Sequence, residues 1–248
     1  MRKILAALVA AIAIACSCMQ AHATFPSVAT TNTSSQTSRV STHTVNLPAS
    51  IASGDRLLCF VGWNESFGAT SPSWPAGWTQ KTFQANGSST SLEVRERFAD
   101  GSEGASISVT TAVTTRSAHV CYRITGAHAS FPVEAGTAAT GSSASADPPS
   151  LSPSWGSADT LWIAIGSTVA GATYSADPSS YANGLTVDAM NGSGGVSIRV
   201  TRRTNTTASE NPSTYTITSG AWVAQTIAVP PVDVGGSYFP RRAVRGGP

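Results

Sequence analysis

The sequence predicts an all-β fold made of two duplicated antiparallel β-sandwich units, of jelly-roll or immunoglobulin-like type, that follow a leader segment. Three observations predict it. The composition is rich in Ser, Thr, Ala, Gly and Val and only 11% charged, with no stretch in which apolar residues recur at the helical period. The apolar runs are short and bounded by Gly, Pro, Asp and Ser, which is how strands and their turns read. One of these runs also returns: Asp55-Arg56-Leu57-Leu58-Cys59-Phe60-Val61-Gly62 has a relative in Asp159-Thr160-Leu161-Trp162-Ile163-Ala164-Ile165-Gly166.

The chain opens on a basic Met1-Arg2-Lys3, an apolar Ile4 to Cys16 and a small-x-small Ala21-His22-Ala23. This is the pattern of a secretory signal peptide cleaved after Ala23. Lipidation at Cys16 or Cys18 is the rival, but each has Ala rather than Leu three residues before it. The apolar run falls short of the ~20 residues of a membrane span, and no later segment is longer, so a secreted, periplasmic or cell-surface destination without a membrane span is expected.

Without Arg2 and Lys3, the 15 basic residues become 13 against 13 acidic ones. A neutral chain is a poor partner for nucleic acid. Three of those 13, Arg241, Arg242 and Arg245, lie in a basic tail, 232–248, that is expected to be exposed and able to support self-association. Two of the four cysteines remain after cleavage, Cys59 and Cys121; an oxidising compartment favours their pairing, and two buried thiols are the alternative.

The first unit is expected over 24–137. Thr24 to Arg39 reads as a Ser/Thr-rich lead-in, Val40 to Leu47 as a first strand and Asp55 to Gly62 as the central one. After a loop through Pro75, a strand begins near Trp78. In Ser91 to Phe98, Leu92, Val94, Glu96 and Phe98 share one face, and Glu93, Arg95 and Arg97 share the other, which is expected to be wet. Ala105 to Ala112 and Ala118 to Ile124 follow as strands. Residues 138–153, small and polar with prolines, read as a linker, and the second unit covers 154–231. Its residues repeat those of the first at offsets of 103 to 107: Asp55 on Asp159, Trp78 on Tyr181, Arg97 on Arg203, Glu103 on Glu210, Ile124 on Ile227. On the same offsets Cys59 falls on Ile163 and Cys121 on Ala224.

The series Asn46-Leu47-Pro48, Ser53-Gly54-Asp55-Arg56-Leu57-Leu58, Pro75-Ala76-Gly77-Trp78, Arg97 to Glu103 and Tyr122 to Ala127 resembles a β-sandwich module of phage virion and tail-associated proteins and of uncharacterised exported bacterial proteins. The resemblance covers roughly 40–231. It implies a fold and a surface or virion setting, and it carries no catalytic residues.

The residues themselves offer little for catalysis. His43, His119 and His128 are scattered, no Gly-x-Ser-x-Gly elbow or His-Glu-x-x-His pair is present, and His119 reads as a strand histidine satisfied by a neighbour. Glu93 and Glu96, three apart on a strand, point to opposite faces and cannot act together on a sugar. Neither a cofactor nor a metal is expected. Glu96 sits on an apolar face with Arg202 as its counterpart, so the two are candidates for an inter-repeat ion pair. Trp63, Phe67 and Trp74 are the candidate ligand-binding residues, since sugar rings rest on aromatic faces, whereas Trp78, Trp162 and Trp222 read as core. The expected role is a non-catalytic binding or structural module, with a glycan or the cell envelope as partner. A secreted jelly-roll carbohydrate-active enzyme and a self-assembling surface or virion subunit are the alternatives.

Overall fold

The computed structural model describes residues 24–67, 71–169, 172–192 and 194–232. The leader, with Cys16 and Cys18, and the tail after Val232 lie outside the described residues. Twelve strands follow in order: β1 (Ser27–Asn46), β2 (Arg56–Trp63), β3 (Thr79–Asn86), β4 (Thr90–Phe98), β5 (Ser106–Thr125), β6 (Glu134–Ala135), β7 (Ala139–Ala146), β8 (Ala158–Val169), β9 (Tyr174–Ala176), β10 (Ala182–Asn191), β11 (Gly194–Thr207) and β12 (Tyr215–Val229).

They form two antiparallel sheets, one from each half of the chain. The first has the order β1-β5-β2-β4-β3. In the second, β7 pairs β12, β12 pairs β8, β8 pairs β11 and β11 pairs β10, which is the same order with each strand replaced by its counterpart. Registers agree as well. Leu58 lies between Glu96 and Tyr122, and Ile163, 105 residues on, lies between Arg202 and Ile227. Even the irregularity between Gln80 and Thr82 in the β3–β4 ladder recurs between Ala182 and Leu185 in β10–β11.

The sheets face each other across one apolar core. Leu58, Phe60, Leu92, Val94, Val120 and Ile124 from the first meet Leu161, Ile163, Ile165, Val196, Ile198 and Val223 from the second. β1 faces β10 at one edge and β3 faces β7 at the other, with β2 and β8 in the middle, so the halves are related by an approximate two-fold axis. Each sheet also buries its outer face. Cys59, Val61 and Trp63 are covered by Val45, Val109 and Trp78, and Trp162 and Ala164 by Tyr181, Tyr215 and Ile217. Burial on both faces explains why β2 and β8 read as unbroken apolar runs rather than alternating ones.

Four sequence expectations shift. Aligning Asp55–Gly62 with Asp159–Gly166 puts Leu57 on Leu161, yet Leu57 belongs to the outer cluster and Leu161 to the central one; with a side-chain period of two, a register one residue out exchanges the faces. By ladder position Cys59 therefore corresponds to Ala164 and Cys121 to Thr226. The lead-in 24–39 is most of β1, held by its backbone pairing to β5. The expected linker holds β7, whose Gly141 lies where a Cβ would overlap the Trp222 indole. The Glu93 face of β4 is covered by residues 64–67 and 71–78 rather than wet, and Glu93 is fully buried.

Candidate functional site

Of the three candidate aromatics, Trp63 is wholly buried. Its indole N–H donates to Glu93 at 3.1 Å, and its ring meets His43 and Phe67 edge-on at 4.9 and 5.4 Å. It has no face to offer a ligand. Trp74 is half-buried, with Trp78 at 5.3 Å and the Arg95 guanidinium at 5.5 Å from its ring. Phe67, at φ 56°, lines a shallow depression of about 280 Å³ with Glu65, Ser66, Ala112 and the 46% exposed Val113. Trp63 and Phe67 pack on each other and Trp74 on Trp78, all against the outer core, because residues 64–67 and 71–78 cover that face of the sheet.

Polar groups beneath this loop are spent on each other. Ser34 Oγ, His119, Ser117 Oγ and His43 form a chain with contacts of 2.8, 2.7 and 2.7 Å. All members are satisfied if Ser34 accepts the Asn46 N–H and donates to His119 Nδ1, His119 Nε2–H donates to Ser117, and Ser117 donates to His43 Nδ1. That order requires both rings to be neutral. Burial pushes His43 down to about 4 and His119 to about 3, the latter also through its neighbour His43. Burial raises the Glu93 carboxyl, against the pull of Arg95 at 2.7 Å. Cys59 and Cys121, directly opposite on β2 and β5, are joined by a disulfide.

Glu96 and Arg202 are not paired with each other. Glu96 is buried and takes the Arg56 guanidinium, Lys81 Nζ at 3.5 Å and the Val133 N–H at 2.9 Å. Arg202 lies over the Tyr122 ring, 5.4 Å from its centroid, and faces an open concavity. This groove, of about 490 Å³, runs between the start of β1 and the β10–β11 edge; Ser27, Val28, Leu161, Asn183, Arg202 and Thr204 are among its walls. Arg203, beside Arg202, is held by Glu210 at 3.0 Å, just as Arg97 is held by Glu103 at 2.7 Å in the other half.

The twin of this groove is closed. Leu161 stands at the ladder position of Arg56, and Arg202 at that of Glu96. Where Val133, fully buried after Phe131-Pro132, plugs the first site, Ser27-Val28 follow Phe25-Pro26 with one residue more and leave the second open. The repeated Phe-Pro was the available sequence signal for the groove; its distance from Arg202 along the chain hid it.

Fold and site together define a two-sheet antiparallel β-sandwich with covered outer faces and one cationic groove at its edge. No protein-family model matches the chain, and neither the curated proteins nor the solved structures provide a match.

Proposed function

We propose that the chain is a non-catalytic binding module of a cell or virion surface, and that a glycan or envelope component occupies the groove at Arg202. The observation that carries this reading is how the charged groups are distributed. Asp55, Glu93, Glu96, Glu103 and Glu210 are each engaged by an arginine, and His43 and His119 lie in a buried chain that holds them neutral. Groups so held suit a scaffold, whereas the groove presents a cation and hydroxyls to solvent. An exported sandwich of repeated sheets, as the resemblance in its sequence implies, is a setting for adhesion.

The test is retention on purified envelope polysaccharides. Thr204→Trp, an aromatic placed on an exposed strand position of the groove, is expected to abolish retention, while Phe67→Ala preserves it. Release of shortened sugars by the parent protein would overturn the reading in favour of an enzyme.

A second reading, a self-assembling subunit, rests on β1. It is an edge strand with Arg39 as its one arginine or lysine, bent by irregularities between Gln36 and Thr42, and the regular run from Thr30 to Gln36, which carries no charge, is the part of that edge able to pair with another chain. Two lysines placed on its exposed positions would then dissociate the assembly in light scattering.

A further inference from the structure

The approximate symmetry of the two halves carries information about what the groove binds. We propose that its ligand is a carboxylate-bearing saccharide whose carboxylate sits on the Arg202 guanidinium; this rests on the binding-module reading above. Ten lysines and arginines fall among the described residues. Eight of them pair with a carboxylate, and Arg116 donates to the Thr37 carbonyl and to Asn64. Among the described residues Arg202 alone has neither a carboxylate nor a carbonyl or amide partner; it lies against Tyr122, with its guanidinium 5.4 Å from the ring centroid and the phenol hydroxyl as its hydrogen-bonding neighbour.

The closed twin shows what such a position requires. There the cation, Arg56, and the anion, Glu96, complete each other on neighbouring strands. On the open side the charge at the Glu96 position is reversed, and the Arg56 position is filled by Leu161, so the cation has no internal anion. A carboxylate entering from the groove would stand to Arg202 as Glu96 stands to Arg56. Arginine is suited to this role because its planar fork of donors fits a carboxylate two bonds at a time.

The walls argue for a saccharide as the carrier. Ser27, Ser180, Asn183 and Thr204, residues that carry hydroxyl and amide groups, are among the groove walls, a composition that matches a ligand rich in hydroxyls. Two of them hold left-handed backbone, Ser180 at φ 67° and Asn183 at φ 52°. Asparagine tolerates that conformation, but serine does so less readily, and the twin of Ser180 is Gly77 at φ 88°. A serine kept where glycine would be free of strain is the kind of local cost found at binding sites. Since no aromatic ring is among the groove walls, attraction rests on charge and hydrogen bonds, and it weakens with added salt.

Calorimetric titration of the full chain with uronate- and sialate-bearing oligosaccharides, and with the methyl esters of the same sugars, tests this. The acids are expected to bind. Esterification or Arg202→Gln each weakens binding by at least about tenfold. Asn183→Asp, on the exposed rim and clear of the core, weakens it as well by supplying a competing carboxylate. Unfolding midpoints equal to the parent's identify variants that fold normally. Equal affinity for acid and ester, or affinity untouched by both substitutions, overturns the carboxylate assignment while leaving a binding module in place. Failure to retain any acidic or neutral envelope glycan overturns both.

Discussion

Arg56 and Glu96 form an ion pair in which each side chain is only 2% exposed, on adjacent strands of the face that meets the second sheet. Burial lowers the Arg56 pKa, and the neighbouring Glu96 charge opposes that shift. The pair is held from outside by the His128 carbonyl, which accepts from Arg56, and by the Phe98 ring 4.1 Å from the guanidinium. Removing one partner leaves a desolvated charge with nothing to balance it. Glu96→Ala is expected to cost about 3–5 kcal/mol in urea unfolding, and the double change Arg56→Leu/Glu96→Leu to cost less than that single one. A double variant weaker than the single would show that packing, not the stranded charge, sets the loss.

The buried histidines give the fold a pH dependence of definite sign. Both are held neutral, at about 4 for His43 and about 3 for His119, against 6.5 when unfolded. The unfolded chain therefore takes up protons first as pH falls. Stability is full above 6.5 and is lost as pH drops towards 4 for His43 and 3 for His119, on the order of 2 kcal/mol for each between about pH 7 and 5. Glu93 acts in the opposite sense, because its raised carboxyl favours the protonated folded state. Denaturant midpoints across this range should fall with acid, and fall less steeply in His43→Gln/His119→Gln. Parallel slopes for parent and variant would place the acid sensitivity elsewhere.

The disulfide ties β2 to β5 across a separation of 62 residues. Its counterparts, Ala164 and Thr226, hold the equivalent strands together without one, so the second sheet shows that the ladder forms unaided. Cys59→Ala/Cys121→Ala is therefore expected to fold, with a loss of about 2–4 kcal/mol. Reductant should lower the melting temperature of the parent to that of the variant and leave the variant's own unchanged.

Much of this fold was written in residue order, and what was not has physical reasons. The apolar runs of β2 and β8 announced buried strands, and the match of Arg97 and Glu103 with Arg203 and Glu210 was legible as a repeat, whereas the ion pair that each arginine makes with its glutamate is visible only in the fold. The covered face of β4 was hidden because Glu93 and Arg95 look like solvent residues until the indole of Trp63 and the loop above them are in place. Residues 27–39 of β1 and all of β7 were hidden because Ser, Thr and Gly strands at sheet edges are held by backbone pairing, which leaves no hydrophobic pattern. The groove was least visible, since it depends on Val133 filling one site and Ser27-Val28 failing to fill the other.

Trp63 separates packing from recognition in a way that its neighbours do not. The indole N–H reaches Glu93, whose other oxygen takes Arg95, and the ring lies among His43, Phe67 and His119. Trp63→Phe keeps an aromatic ring in that space and removes the donor. A buried carboxylate oxygen deprived of its partner costs about 1–3 kcal/mol, and Trp63→Ala, which also leaves a cavity, costs about 3–5 kcal/mol. Neither change alters the groove on the far side of the first sheet, so affinity for any saccharide bound there should match the parent's once the protein is folded. Chemical denaturation gives the first quantity and titration of the folded fraction the second. A Trp63→Phe protein of unaltered stability that has lost binding would mean that this indole, and not Arg202, meets the ligand.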